Sequence, residues 1–291
     1  KLFWNLSSPM ATRLRRLHGF RLPAWSRFPS RGLAAPSPRE LEEMHKPATG
    51  WWNDLVRLSY KWLGGAYFNP KSDICNCGGD FAVTLPKPEL LKREGVEANT
   101  PEHRMMLYGG ALYYHVATNV TEKFKKANPD LLRGKDVLEV ACMRGGGARY
   151  LMEVCEPRRY LAVDHVHEHI DSCRANFGEW PGLEYEVMDA HELAQKLPAD
   201  SFDFVLCIEA AASFEKPELF VEGVVHVLRR GGRLLLADAL EKKTNIKLLD
   251  ALEDNGFEVE LSMDISRHVH AVGLCSVPKG MSYLHIVAKK E

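Results

Sequence analysis

The chain has 291 residues, 45% of them apolar and 26% charged, which is the balance of a folded globular protein. Its 38 basic and 39 acidic side chains leave a formal charge of −1, without the basic excess of a dedicated nucleic-acid binder, so no nucleic-acid partner is expected. No run of about 18 apolar residues reads as a transmembrane helix. The cysteines at 75, 77, 142, 155, 173, 207 and 275 form an odd, scattered set of reduced, mostly buried thiols, and Cys75-x-Cys77 lacks the second ligand pair of a zinc site.

From Lys1 to Arg39 there is no acidic residue, while Arg13, Arg15, Arg16, Arg21, Arg27, Arg31 and Arg39 interleave with Leu, Phe and Trp. An Arg-rich, acid-poor stretch with Ser and Pro resembles a mitochondrial presequence, so a mitochondrial location is expected. Clustered basic residues would have suited a nuclear or nucleic-acid tail better. Residues 1–46 form this arm and 47–130 a helical and irregular extension. Residues 51–63 carry Trp51, Trp52, Tyr60 and Trp62 and read as a short aromatic helix fit for a protein groove or a membrane surface. The arm has too little apolar surface to order itself. Other protein subunits are therefore expected to contact residues 1–65, with membrane-surface contact as a further expectation.

Residues 66–100 are turn-rich. Thr100-Pro101-Glu102 then reads as an N-cap and first turn. Met105, Tyr108, Leu112, Val116, Val120 and Phe124 follow at helical spacing. From 131 to 291 strands and helices alternate, which calls for a parallel sheet covered on both faces. Strands are predicted over 136–140, 160–164, 183–188, 202–208 and 233–238. Helices fall near 146–154, 168–177, 192–196, 217–227 and 245–255. Two closing strands, 257–263 and 282–289, are joined by a short link rather than a helix, which makes the last strand antiparallel. The fold class is α/β, a Rossmann-like sheet of seven mostly parallel strands with an N-terminal helical extension.

Open α/β sheets bind ligands at the carboxyl ends of their strands. Glu139 ends the first strand and can accept from an α-amino group. Asp164 ends the second and can accept from two ribose hydroxyls, and Asp189-Ala190 after the third can meet an adenine. The stretch Ala141-Cys-Met143-Arg-Gly145-Gly-Gly147 turns from strand to helix where backbone must pass close to a ligand. A phosphate-binding P-loop is excluded by the missing Gly-Lys-Ser/Thr. His165-x-His167-x-His169 straddles a turn and a helix start, where alternate residues diverge, and with His268 and His270 it gives no metal expectation.

Residues 105–264 resemble class I S-adenosylmethionine (SAM) methyltransferases of the phthiotriol/phenolphthiotriol dimycocerosate type, within the sterol and small-lipid group. The matching stretches run Val137 to Leu151, Tyr160 to Asp164, Ser201 to Ala210, Val225 to Arg233 and Ala237-Asp238. The resemblance implies SAM as cofactor, a small or lipid-like substrate, and a cofactor site built from Glu139, Ala141, Met143, Gly145, Asp164, Asp189, Ala190 and Glu209. It also marks three departures. The family loop reads Glu-x-Gly-x-Gly, and here Ala141 and Met143 replace the glycines, where backbone needs φ above zero and Met can fill cofactor volume. Ala211-Ala212 replace a polar Ser-His pair. The segment before the last strand, 264–280, is too short for the family's substrate lid. These departures favour a methyltransferase fold reused as a non-catalytic accessory subunit of a mitochondrial complex; the alternative is an active SAM-dependent enzyme with a small-molecule substrate.

Overall fold

The computed structural model describes residues 73–291 except 75, 77, 82–83, 93–95, 99, 121–126, 179, 273–276 and 278–279. The basic arm, the aromatic helix expected at 51–63, and Cys75, Cys77 and Cys275 lie outside the described residues.

Helix α1 (Pro101–Thr118) starts where the Thr100 hydroxyl accepts from the His103 amide and Pro101 supplies a pre-set φ. It stops before Val120, which the apolar spacing includes, while Phe124 lies outside the described residues. Asn119 leaves helical geometry, and its backbone and side-chain N–H groups both satisfy the His115 carbonyl. The alternating region comprises β1 (Asp136–Val140), α2 (Gly146–Cys155), β2 (Arg159–Asp164), α3 (His167–Phe177), β3 (Leu183–Val187), α4 (Leu193–Lys196) and β4 (Phe202–Ile208). It continues through α5 (Pro217–Val227), β5 (Leu228–Glu241), α6 (Lys242–Asp254), β6 (Phe257–Asp264), α7 (Ser266–Val272) and β7 (Met281–Lys290).

The strands form one seven-stranded sheet in the order β3-β2-β1-β4-β5-β7-β6. β1 to β5 pair in parallel, and β7 runs antiparallel between β5 and β6. Every residue of β1 is buried, as a central strand covered on both faces requires. One face packs Tyr150 and Leu151 of α2, Ile170 of α3, Leu112 of α1 and Val269 of α7. The other packs Leu193 of α4, Phe220 and Val224 of α5, and Leu252 of α6.

The link between the last two strands differs from the expected helix-free connection. Asp264 accepts from the Ser266 amide at 2.8 Å, and Ile265, Val269 and Val272 are buried at successive turns. An Asp start followed by one apolar stripe suffices for the short helix α7. The strand order reverses between β1 and β4, so the crevice at their carboxyl ends is where this topology places a ligand.

Candidate cofactor site

The loop from β1 to α2 is left-handed at alternate positions: φ is 61° at Ala141, 49° at Met143 and 77° at Gly145. Glycine takes that conformation freely, whereas Ala and Met each pay about 1–2 kcal/mol for it. Other bonds hold the loop there. The Cys142 amide donates to the Val163 carbonyl at 3.0 Å and the Met143 amide to Asp164 Oδ2 at 2.9 Å. Cys173 Sγ donates to the Met143 carbonyl, and Tyr185 Oη to the Gly145 carbonyl. The next two glycines serve packing: a Cβ at Gly147 would stand 2.1 Å from the Tyr113 ring, and one at Gly146 2.6 Å from the Asp73 carbonyl oxygen. Met143 is buried yet belongs to neither apolar cluster of the core.

Glu139 is 1% exposed and already holds two partners, Tyr113 Oη donating to Oε1 at 2.6 Å and Tyr160 Oη to Oε2 at 2.7 Å. Burial pushes its carboxyl up to about 7, against the opposing pull of the two tyrosine bonds and with the Asp164 charge adding to the rise. Asp164 caps the start of the next turn. Its Oδ1 accepts from the Val166 amide at 2.9 Å and lies 3.2 Å from His169 Nδ1, while Oδ2 takes the Met143 amide. His169 thus turns inward while His165 and His167 are both exposed. Asp189 caps the 3-10 turn Ala190–Glu192 through the His191 amide, leaving its side chain half exposed beside buried Ala190. Glu209 lies off this group. It too has a left-handed backbone, φ 56°, and its Oε1 accepts from Tyr283 Oη at 2.6 Å across β4 to β7.

Sequence reasoning missed the tyrosines that bind Glu139, and it missed the polar groups near Ala211-Ala212. Asp238, which stands inside β5 because the strand runs on past the predicted end at 238, accepts from the Ala212 amide at 2.9 Å, and burial raises its carboxyl to about 7. His285 on β7 and His115 on α1 meet edge to face at 5.2 Å, with Phe81 stacked on His115 at 3.9 Å. The place of Asp238 at the predicted strand end was a readable signal; the histidine contact, between elements far apart in the chain, was not. Two cavities lie away from Glu139 and Asp164. One of about 560 Å³ opens among Leu91, Arg149, Arg174 and Trp180, and one of about 400 Å³ among Phe81, Leu85, Leu107 and Tyr108.

Asp164 Oδ2 accepts from the Met143 amide with a lone pair to spare and Asp189 is half exposed, so both keep acceptor capacity for hydroxyl and amino groups. The loop backbone has the conformation that brings it close to a ligand. This acceptor set fits SAM. The seven-stranded sheet with its antiparallel β7 and the acids at the ends of β1, β2 and β3 define the class I methyltransferase fold. Residues 138–236 match the family model described as a methyltransferase domain, and this region has the class I methyltransferase fold.

Among curated proteins, a phthiotriol/phenolphthiotriol dimycocerosates methyltransferase of Mycobacterium leprae is 39% identical over 129 residues, 44% of this chain and 42% of that protein. A fatty-acid O-methyltransferase of Mycolicibacterium smegmatis is 38% identical over 108 residues, 37% of this chain and 38% of its own length. The match thus spans less than half of either relative. Among solved structures, the [4+2]-cyclase SpnF superposes with a TM-score of 0.56 at 14% identity, covering 84% of this chain and 97% of that one. A geranyl diphosphate methyltransferase in complex with GPP and sinefungin gives 0.55 at 12% identity, covering 75% and 90%. At such identities these structures speak for the fold alone.

Proposed function

We propose that this chain is an active SAM-dependent methyltransferase whose acceptor is a small or lipid-like molecule. The observation that carries the reading is the loop backbone. Positions 141, 143 and 145 keep the left-handed conformation of a glycine loop although two of them are not glycine. Strain of this kind persists where surrounding structure over-determines it, and it clusters at functional sites. The two relatives named above, 39% and 38% identical, are by name a phthiotriol/phenolphthiotriol dimycocerosates methyltransferase and a fatty-acid O-methyltransferase, which supports the same reading.

When bound, SAM supplies an electrophilic methyl group on sulfur. The residues that would hold it are Glu139 toward the amino end, Asp164 at the ribose, and Asp189 with Ala190 at the adenine. The Ala141–Gly145 backbone would lie beneath and Glu209 beyond. Glu139 would have to share an oxygen with Tyr113 or Tyr160 to accept from an ammonium group. The chain's part in catalysis is then orientation: holding acceptor and cofactor in line and excluding water. Calorimetric titration of SAM into the purified chain tests this, with micromolar binding expected and no binding refuting it.

A second reading, the non-catalytic accessory subunit, draws on Ala141 and Met143, since a Met at a ligand-facing position can occupy cofactor volume. It expects no SAM binding by the native chain and recovery in the Ala141→Gly/Met143→Gly double variant. The mitochondrial destination and the subunit contacts through residues 1–65 are proposals that rest on composition alone.

A further inference from the structure

His285 is completely buried on β7, and neither of its ring nitrogens has a hydrogen-bond partner. His115 faces it from α1 at 5.2 Å and 64°, and its Nε2 is also buried and unpartnered. A buried polar atom left this way loses its bonds to water without replacement, and native proteins keep few of them without a role. Burial lowers both imidazoles, His115 to about 4 and His285 to about 3, each also disfavoured by a neighbouring histidine. At neutral pH the pair is therefore uncharged, and each ring offers one N–H and one bare nitrogen.

Asn119 Nδ2 donates to the His115 carbonyl at 2.9 Å and lies 3.4 Å from His115 Nδ1; we assign the tautomer in which Nδ1 faces that donor bare and Nε2 carries the hydrogen. His115 thus presents an unused donor beside His285, whose bare nitrogen is an unused acceptor. One neutral donor and one neutral acceptor complement a hydroxyl group. A carboxylate would ask for two donors and would bring a charge among buried, uncharged groups.

The location suits a methyl acceptor. His285 is paired in register with Ala237 of β5, whose carbonyl accepts the Glu209 amide at 2.7 Å. Tyr283, two residues before His285 on the same face of β7, donates to Glu209. The pair therefore adjoins the carboxyl end of β4, beside Ala237 within β5, on the face that carries Glu139. Phe81 covers it, stacked on His115 at 3.9 Å and on His268 at 4.9 Å, and Phe81 also walls the cavity of about 400 Å³. Leu85, Leu107, Tyr108 and Ala111 line the same cavity, the last standing one helical turn before His115. An apolar body can rest there while a rotation of the Phe81 ring opens the way inward.

We infer that His115 and His285 together form the subsite that holds the hydroxyl of the methyl acceptor, an alcohol or phenol with an apolar body, a reading that rests on the methyltransferase function proposed above. His115 Nε2–H donates to the oxygen, and the hydroxyl O–H donates to the bare ring nitrogen of His285. Groups that titrate this low are poor bases at neutral pH, so the pair orients the oxygen rather than deprotonating it. These are positioning residues.

The test uses the full unmodified chain without cofactor and three probes: 1-octanol, its methyl ether and octanoate. Octanol is expected to bind about tenfold more tightly than the ether, which lacks the O–H donor. It should also move the side-chain ¹⁵N resonances of His115 and His285. His285→Phe and His115→Phe, checked for folding by circular dichroism, should each abolish the preference for alcohol over ether. Equal binding of alcohol and ether, unmoved imidazole resonances, or tighter binding of octanoate overturns the subsite, whatever the variants do. A parallel SAM titration separates the two claims. SAM binding without alcohol preference removes the subsite alone, and alcohol preference without SAM binding keeps the subsite and removes the methyltransferase reading.

Discussion

Tyr160→Phe deletes one hydroxyl from a fully buried network and changes almost nothing in volume. In the native chain Tyr160 Oη donates to Glu139 Oε2 at 2.7 Å, with Tyr113 on the other oxygen. Glu139 titrates near 4.5 when unfolded and at about 7 when folded. A folded value raised in this way gives stability that is fully present below 4.5 and lost as pH rises through 7. At about 1.4 kcal/mol per unit, the ionised carboxylate takes roughly 3 kcal/mol from the native state at alkaline pH. The tyrosine bonds limit that loss, because they favour the charged form. Hydrogen bonds to charged groups contribute about 1.5–3 kcal/mol and neutral ones about 0.5–1.5. The variant should therefore lose about 1 kcal/mol at pH 5.5, where Glu139 is mostly protonated, and about 2–3 kcal/mol at pH 8.5, where it is mostly ionised. Urea unfolding at the two pH values measures both. An equal loss at both would show that the Tyr160 hydroxyl does not act on the ionised carboxylate, and the network would then be misread.

Ala141→Gly should leave stability unchanged or raise it by up to about 1 kcal/mol in urea, since relief of the left-handed backbone outweighs the added chain entropy; a loss above 1 kcal/mol would mean that the loop is not strained there. Gly147→Ala pushes a methyl group into the Tyr113 ring and should cost about 1–3 kcal/mol, read as a lower urea midpoint; an unchanged midpoint would show that the ring yields freely. His115 and His285 have folded values of about 4 and 3, depressed below the unfolded 6.5, so the stability linked to them is present above pH 6.5 and falls toward those values at about 1.4 kcal/mol per unit for each. Glu139 and Asp238, both raised to about 7, offset this trend in the native chain, so the measure is the difference: between pH 7 and 4.5, thermal melts of His285→Phe should lack the loss that His285 contributes, and parallel slopes in the two proteins would refute it. A reporter fused to residues 1–45 should enter mitochondria, and a cytosolic or nuclear signal would refute that destination.

The β1-to-β5 region was readable because parallel strands buried on both faces are written as short apolar runs, such as Phe202 to Ile208. The strand-end positions of Glu139, Asp164 and Asp189 followed directly from those runs. What those acids bind inside the protein did not. Tyr113 reaches Glu139 from a helix well upstream, and no local pattern marks which face of α1 it occupies. Helix α7 was hidden because seven residues give too little periodicity to separate a helix from a turn. The conformation at Ala141 and Met143 was legible only through the family pattern, since neither residue type favours left-handed backbone on its own.

β7 follows β6 in the chain yet lies between β6 and β5 in the sheet. During folding β6 therefore has no neighbour to pair with until β7 has inserted, and α7 must stay loose enough to let that strand pass. Nine paired positions along β5 and seven along β6 are then set by one event, and a slip of one residue would turn His285 to the opposite face. The edge of β5 stays open and adhesive until then, which makes this insertion the step at which crowded or heated chains should begin to aggregate.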